Sequence, residues 1–163
     1  RSRGLGDVYK RQTITKAGKE ALYLFCEPSY DPKNTKSAKH LKMNGRKVYE
    51  FAISNIPGAL KKCLEDSGKN IDDVKKIFLH QANEKLDEAV LKYFYKQFNK
   101  EIPENIMPIS VDIYGNSSVA TIPTLYDEVL KNNFKGHNLK KGDVILFASV
   151  GAGMNVNALT YQL

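Results

Sequence analysis

The sequence predicts a layered α/β domain in which helices pack on a mixed sheet. Short apolar runs typical of buried strands alternate with amphipathic stretches long enough for helices. Two strand-like runs at the C-terminus are separated only by a tight, glycine-containing bend, so we expect them to form an antiparallel hairpin. The 163 residues suffice for a single domain with a hydrophobic core.

The first third of the chain predicts a strand, an exposed loop and a long helix. Residues 21–26 (ALYLFC) form an apolar run, whereas residues 27–40 are polar and rich in Lys, Ser and Asn. Apolar side chains recur at helical spacing over residues 46–67, and Gly68 is expected to end that helix. Pro57 inside this stretch must either kink the helix or begin a second one.

Strands and helices alternate over the remainder of the chain. A short strand ends next to His80 and is followed by an amphipathic helix, and a second strand leads through a small-residue turn around Gly115 into a further helix. The predicted elements are strands at 76–79, 106–111, 144–150 and 155–162 and helices at 83–98 and 120–132.

The net charge of +7 raises the question of nucleic-acid binding. The first twelve residues carry +3 of it, from four basic residues and one acidic residue, which leaves +4 for the rest. Within that segment DVYKRQ resembles the translated end of a sequencing-library adapter, so we expect residues 1–12 to be a non-native tail and the domain to span 13–163. A natural segment of unusual sequence is the alternative. Elsewhere lysines are interspersed with acidic residues, which disfavours a nucleic-acid binder.

Composition also indicates the compartment. There is no tract of 18 apolar residues and no apolar N-terminal stretch, so neither a membrane span nor a secretory signal is predicted, and a cytoplasmic protein is expected. Cys26 and Cys63 lack a CxxC partner motif, which argues against a disulfide framework or a metal site. Cys63 lies three residues after Leu60 on the apolar helix face, a position that favours a core thiol.

Two polar residues stand at strand-to-helix corners, where α/β proteins collect groups that contact ligands. His80 follows the strand predicted at 76–79, and the nearby helix N-terminus favours its neutral imidazole, whose N–H can donate a hydrogen bond. Asn116 follows Gly115 in the second corner and offers an amide NH2 donor. Taken singly, His80 is compatible with a structural role and Asn116 with a turn or helix-capping role.

Three short motifs occur in order along the chain: HQAN at 80–83, GNSS at 115–118 and GAG at 151–153, with MNG at 43–45 before them. In this order and secondary structure they resemble the C-terminal half of β-ketoacyl-acyl carrier protein synthase III, a family of the thiolase superfamily. The resemblance covers residues 40–163 and implies a thiolase-like half-domain, a fragment of a longer enzyme. In that family the nucleophilic Cys belongs to the N-terminal half, and neither Cys26 nor Cys63 has its context. The fragment alone is therefore expected to be inactive.

The resemblance implies a role for each motif. His80 and Asn116 would donate hydrogen bonds to the malonyl thioester oxygen during decarboxylation, and the backbone of Gly151, Ala152 and Gly153 would contribute to an oxyanion hole, with Ala152 departing from the family's more glycine-rich run. A plain hairpin turn is the alternative for that bend. Further implied contacts are the pantetheine arm and the carrier protein at Asn83, Lys85 and Lys92, and an acyl pocket at Met43, Gly45 and Val150.

The implied parent is an acyltransferase of fatty acid biosynthesis that condenses an acyl starter with malonyl-acyl carrier protein. Its expected partners are an acyl carrier protein and an acyl-CoA or acyl-carrier thioester, with no metal, organic cofactor, nucleic acid or membrane, and the full-length parent is expected to be a homodimer. A condensing enzyme of secondary lipid or pigment metabolism is the alternative with the same residues. A catalytically idle interaction module is a further alternative, although such a module need not retain both His80 and Asn116.

Overall fold

The computed structural model describes residues 7–15, 19–31, 33 and 39–163, and for residues 7–15 it describes the backbone. Six strands and four α-helices are present in this part of the chain. The strands are β1 (Asp7–Thr15), β2 (Leu24–Pro28), β3 (Lys39–Met43), β4 (Val74–Leu79), β5 (Val144–Gly151) and β6 (Asn155–Gln162). The helices are α1 (Gly45–Asp66), α2 (Glu84–Lys96), α3 (Val111–Tyr114) and α4 (Thr121–Leu130).

Four of the strands form one mixed sheet in the order β1-β6-β5-β4. β4 and β5 are parallel, with Phe78 opposite Phe147, whereas β5 and β6 form the antiparallel hairpin predicted at the C-terminus. β2 and β3 pair separately as a two-stranded antiparallel ribbon. The predicted α/β class with a mixed sheet is confirmed.

Hydrophobic cores lie on both faces of the sheet. Ile77 and Leu79 of β4 belong to the larger core, which also contains the apolar faces of α1 and α2. Phe78, between them in sequence, points to the opposite face and packs with Leu125 and Val129 of α4 in a second core. A strand buried on both faces requires a continuous apolar run, which explains why β4 shows no polar alternation after Lys76.

Helix α1 is a single helix despite its internal proline. Asn44 caps its N-terminus by accepting a hydrogen bond from the backbone N–H of Lys47 at 3.3 Å, and Pro57 lies inside the continuous helix rather than beginning a second one. Gly68 adopts a left-handed φ of 71° just beyond the helix, as expected for a glycine that terminates it. Helix α2 likewise follows the predicted periodicity, ending two residues earlier than predicted.

Two predicted strands differ from the structure. The apolar run at 21–26 is divided between a 3-10 turn over Lys19–Tyr23 and strand β2. The sequence did not predict β3, because its lysine-rich sequence becomes a strand only by pairing with β2. Residues 106–111 form no regular strand. The carbonyl of Ile106 accepts a hydrogen bond from Ile77 of β4 at 2.9 Å, but Pro108 has no N–H with which to continue a ladder, and α3 begins at Val111.

The N-terminal segment contributes more backbone structure than expected. β1 pairs antiparallel with β6 from Asp7 opposite Gln162 to Thr15 opposite Asn155, with an irregularity between Val8 and Lys10. The backbone of residues 7–12 is thus part of the sheet, and such pairing requires no particular side chains. Residues 1–6, including Leu5, lie outside the described residues. The origin of the segment stays a prediction.

Neither a membrane-spanning helix nor a metal-binding group of side chains occurs among the described residues. Among the residues that the structure describes, none of the helices combines the length and apolarity that a membrane crossing needs. The same residues contain no group of three or more His, Cys, Asp or Glu side chains arranged to hold a metal ion.

Gly68 and Gly58 allow a paired test of the helix terminus. A Cβ atom would meet no atom within 4 Å at either position, but only Gly68 has a left-handed φ, of 71°. We expect Gly68→Ala to lower the free energy of unfolding by about 1–2 kcal/mol through backbone strain. Gly58→Ala, inside α1, should instead raise it by about 0.5–1 kcal/mol. Chemical denaturation of both variants measures these changes, and equal effects would contradict the assigned terminus.

Asp87 provides a test of pH-dependent stability. Its side chain is buried in α2, one carboxylate oxygen has no hydrogen-bond partner, and burial, with Glu84 nearby, raises the pKa to about 8 from an ordinary value near 3.8. Because the fold favours the protonated form, this group's contribution to stability declines as the pH rises from 4 through 8. Asp87→Asn should therefore stabilise the fold more at pH 8 than at pH 5, as measured by denaturation at each pH.

The exposed neighbour Glu88 provides the control for that measurement. Glu88→Gln also removes one negative charge from α2 but relieves no burial, so its effect should be small and nearly independent of pH. A pH dependence shared by both variants would attribute the effect to helix charge rather than to burial of Asp87.

Candidate active site

His80 lies directly after β4, at the carboxyl end of the strand. Its backbone N–H donates to the carbonyl of Ala148 on β5 at 3.0 Å, and its own carbonyl accepts from the N–H of Ala82 at 3.1 Å, which makes a tight turn toward α2. The imidazole is half-buried, and burial lowers its pKa below the ordinary 6.5. At neutral pH the ring is therefore uncharged, with one N–H available as a donor.

Asn116 lies in an exposed turn between α3 and α4. Gly115 before it has a φ of 62°, and Ser118 after it also has a left-handed φ, of 54°. The Asn116 side-chain oxygen accepts a hydrogen bond from the backbone N–H of Ser118 at 2.9 Å, which fixes the plane of the amide. Within the described residues the side-chain nitrogen donates no hydrogen bond, so this group is available to a ligand.

The two corners are joined by a residue to which the sequence patterns assigned no role. Gln81 is completely buried, and its side-chain nitrogen donates to the carbonyl of Pro108 at 2.6 Å. Its side-chain oxygen accepts from the backbone N–H of Ser110 at 2.6 Å and from the Ser110 hydroxyl at 3.1 Å. The corner containing His80 is thereby bonded to the segment that leads through α3 to Asn116. In the sequence Gln81 stands between His80 and Ala82 just after β4, and its residue type alone does not reveal that its side chain is buried.

The glycine-containing bend lies at the same edge of the sheet. β4 and β5 are parallel, so His80 and Gly151 both lie at the carboxyl ends of neighbouring strands. Gly153 has a φ of 73°, and an added Cβ would lie 3.0 Å from the side-chain nitrogen of Asn155. That nitrogen donates to the carbonyl of Ala152 at 3.0 Å and holds the bend closed. The structure thus brings the histidine corner and the GAG bend to one edge.

Helix α2 carries the three residues predicted to contact the carrier. Asn83 is the N-cap, because its side-chain oxygen accepts from the backbone N–H of Leu86 at 3.3 Å. Lys85 and Lys92 are exposed and seven residues apart, which places them on one side of the helix. Neither lysine forms an ion pair within the described part of the chain, so both charges face solvent.

The three residues predicted to line an acyl pocket occupy two places in the fold. Met43 ends β3 and is 61% exposed, and a Cβ added at Gly45 would lie 4.0 Å from the Met43 methyl carbon. Val150 lies on β5, half-buried against the larger core. The structure therefore brings Met43 and Gly45 together and gives Val150 a position on the strand that leads to the GAG bend.

The two cysteines differ in their surroundings. Cys63 is completely buried in α1, and its sulfur accepts a hydrogen bond from the Thr160 hydroxyl at 3.3 Å, which confirms the predicted core thiol. Cys26 is exposed within β2. Neither cysteine lies at a strand-to-helix corner.

Sequence comparison with known proteins agrees with the motifs. Residues 64–163 match the family model described as 3-oxoacyl-[acyl-carrier-protein (ACP)] synthase III C terminal. The chain is 35% identical over 122 residues to the β-ketoacyl-[acyl-carrier-protein] synthase III of Porphyra umbilicalis, a match that covers 75% of this chain and 34% of that protein. It is 29% identical over 157 residues to the same enzyme of Lactobacillus helveticus, covering 96% of this chain and 43% of that one.

Solved structures share the fold. The β-ketoacyl-[acyl carrier protein] synthase III of Thermus thermophilus superposes with a TM-score of 0.79 at 26% identity, covering 99% of this chain and 47% of that chain. The priming β-ketosynthase of the R1128 polyketide biosynthetic pathway gives a TM-score of 0.80 at 21% identity, covering 99% and 46%, and supports the fold alone. The chain thus spans less than half the length of these relatives. It belongs to the C-terminal family of the 3-oxoacyl-acyl carrier protein synthases III.

Proposed function

We propose that the chain is the C-terminal half of a condensing enzyme of fatty acid biosynthesis, an acyltransferase that joins an acyl starter to malonyl-acyl carrier protein. The observation that carries the proposal is the pair of unoccupied donors, neutral His80 and the Asn116 amide, on corners that a buried Gln81 holds together. The names of the curated relatives support the same activity. In this proposal residues 13–163 are the catalytic half-domain, and residues 1–12 are an adapter-derived tail.

The reaction begins when a cysteine thiolate of the upstream half attacks the acyl thioester, forming an acyl-cysteine and displacing the CoA or carrier thiolate. Loss of carbon dioxide from the malonyl thioester then moves an electron pair toward the thioester carbonyl, and negative charge develops on its oxygen. His80 and Asn116 donate hydrogen bonds to that oxygen. In a site that excludes water, each such donor contributes roughly 3–4 kcal/mol to the stabilisation of the transition state.

The protonation state of His80 matters for this role. Burial lowers the pKa of His80, so the ring stays neutral at physiological pH. The neutral ring donates one N–H, and no charge has to be buried with it.

In the condensation step, the carbanion attacks the acyl-cysteine carbonyl, and the tetrahedral oxyanion receives a hydrogen bond from a backbone N–H of the bend at Gly151–Gly153. The thiolate leaves with the electron pair, and the product remains on the carrier.

The surface of α2 supports binding of an acidic carrier protein. Lys85 and Lys92 offer two unpaired positive charges on the helix that begins at the histidine corner. Asn83, next to that corner, would contact the pantetheine arm in addition to capping α2. Met43, Gly45 and Val150 would line the acyl pocket.

The remainder of the enzyme would come from the upstream half. Residues 112–120, which include Asn116, are all exposed in this chain, as expected if a second half covers them. In this proposal the full-length enzyme acts in the cytoplasm as a homodimer, without metal or organic cofactor, and the 163 residues alone show no self-acylation. Secondary lipid metabolism remains the second candidate, but the curated relatives favour fatty acid biosynthesis.

Separate partial reactions test the catalytic roles. In the full-length enzyme, His80→Ala should slow malonyl decarboxylation by about 100- to 1,000-fold, the effect of losing one oxyanion donor. Transfer of a radiolabelled acyl group onto the nucleophilic cysteine should be retained. Asn116→Ala should behave in the same way, and the double variant should lose less than the product of the two effects.

Acyl transfer serves as the internal control for this experiment, because it requires a folded enzyme but not the enolate donors. If His80→Ala abolished acylation and left decarboxylation intact, His80 would be the base for the nucleophile, and the assigned role would be wrong.

Charge reversal on α2 tests the carrier surface. Replacing Lys85 and Lys92 together by Glu should raise KM for malonyl-acyl carrier protein about tenfold, because the acidic carrier would meet repulsion in place of attraction. Turnover of malonyl-CoA, which lacks the carrier, should change little. Lys141→Glu is the control, since this exposed lysine precedes β5 and lies at the opposite edge of the sheet. An equal loss with malonyl-CoA would contradict carrier binding at α2.

A further inference from the structure

We infer that Gln81 is a positioning residue that sets the distance between the two enolate donors, an inference that rests on the proposed function. The residue follows His80 in sequence, and its side chain crosses to the segment that precedes Asn116. It contacts no reacting atom in this inference. Its effect on the reaction passes through the placement of Asn116 relative to His80.

The geometry requires a neutral amide at this position. The side-chain nitrogen of Gln81 donates to the Pro108 carbonyl at 2.6 Å, and the side-chain oxygen accepts from the Ser110 backbone N–H at 2.6 Å. One end must donate and the other must accept, and the whole side chain is buried. Loss of either function leaves a buried backbone group without its partner.

Ser110 connects Gln81 to the turn that contains Asn116. It is the N-cap residue of α3, yet its hydroxyl bonds to Gln81 at 3.1 Å and makes no cap hydrogen bond. Its carbonyl accepts from the N–H groups of Ile113 and Tyr114, at 3.0 and 2.9 Å. The single turn of α3 therefore starts from a residue held by Gln81, and Asn116 follows after Gly115.

The Asn116 turn is attached to buried residues on both sides: after it, the hydroxyl of the buried Thr121 donates to the Ser118 carbonyl at 2.9 Å and lies 3.3 Å from the Ser117 hydroxyl. Ser110 is buried, whereas every residue from 112 to 120 is exposed, so the Gln81–Ser110 bonds are the last buried attachment before Asn116. Two donors that serve one oxygen must be placed within a fraction of an ångström, and a displacement of about 1 Å can reduce a rate roughly 100-fold. A residue that couples the two corners would thus influence catalysis without touching substrate.

A double-mutant cycle in the full-length enzyme tests this role. Gln81→Met keeps the size but removes both polar functions, and it should slow malonyl decarboxylation about 10- to 100-fold while acyl transfer to the cysteine is retained. If Gln81 acts through Asn116, the same substitution in an Asn116→Ala enzyme should reduce decarboxylation less than threefold further. Equal fold losses in both backgrounds, or no loss in either, would overturn the inference.

Gln81→Glu provides a variant that tests the amide's two functions. A protonated carboxyl can donate to Pro108 and accept from Ser110, whereas the ionised form cannot donate. The ratio of variant to unmodified decarboxylation rates should therefore approach one at low pH and fall as the pH rises. A ratio that stays well below one at low pH, where the protonated carboxyl keeps both bonds, would overturn the inference even if Gln81→Met fails to fold.

The outcomes separate this inference from the proposed function. If His80→Ala and Asn116→Ala lose decarboxylation but the Gln81 variants do not, only the positioning role fails. If His80→Ala retains decarboxylation, the proposed enolate site fails whatever the Gln81 variants show.

Discussion

The parallel pairing of β4 with β5 is the constraint on which the rest of the site depends. Two parallel neighbouring strands end at the same edge of a sheet. The residues that follow each strand are therefore brought close together by the strand pairing itself. Burial of β4 on both faces fixes its register, because a slip by one residue would exchange Phe78 with Ile77 and Leu79 between the two cores. The apolar packing of one strand thereby determines where His80 stands.

The polar groups of the site are held by local backbone geometry and by one buried side-chain network. Gly115 and Gly153 adopt left-handed conformations beside the second corner and in the final bend, and Ser118 does so at a steric cost. Buried polar bonding is concentrated in Gln81 and Ser110, where two corners distant in sequence need a fixed separation. Exposed ion pairs such as Lys62–Asp66 lie on outer helix surfaces and contribute little.

Periodicity and turn chemistry were enough to predict most elements and the two corners. Helices α1 and α2 and the β5–β6 hairpin follow directly from apolar spacing and glycine. Strand β3 depends on pairing with β2, and the break at Pro108 depends on a missing ladder donor, so neither is encoded in local apolar pattern. The Gln81–Ser110 bond joins residues 29 positions apart, a proximity that no single-sequence pattern contains.

The β1–β6 pairing has a practical consequence for handling the protein. The backbone of β6 pairs with a strand that includes residues 7–12. A sheet edge with unpaired backbone groups is a template for self-association between molecules. Trimming the N-terminus would uncover a row of unpaired amides and carbonyls along β6, and purified material would then precipitate or form ordered aggregates more readily than the longer chain.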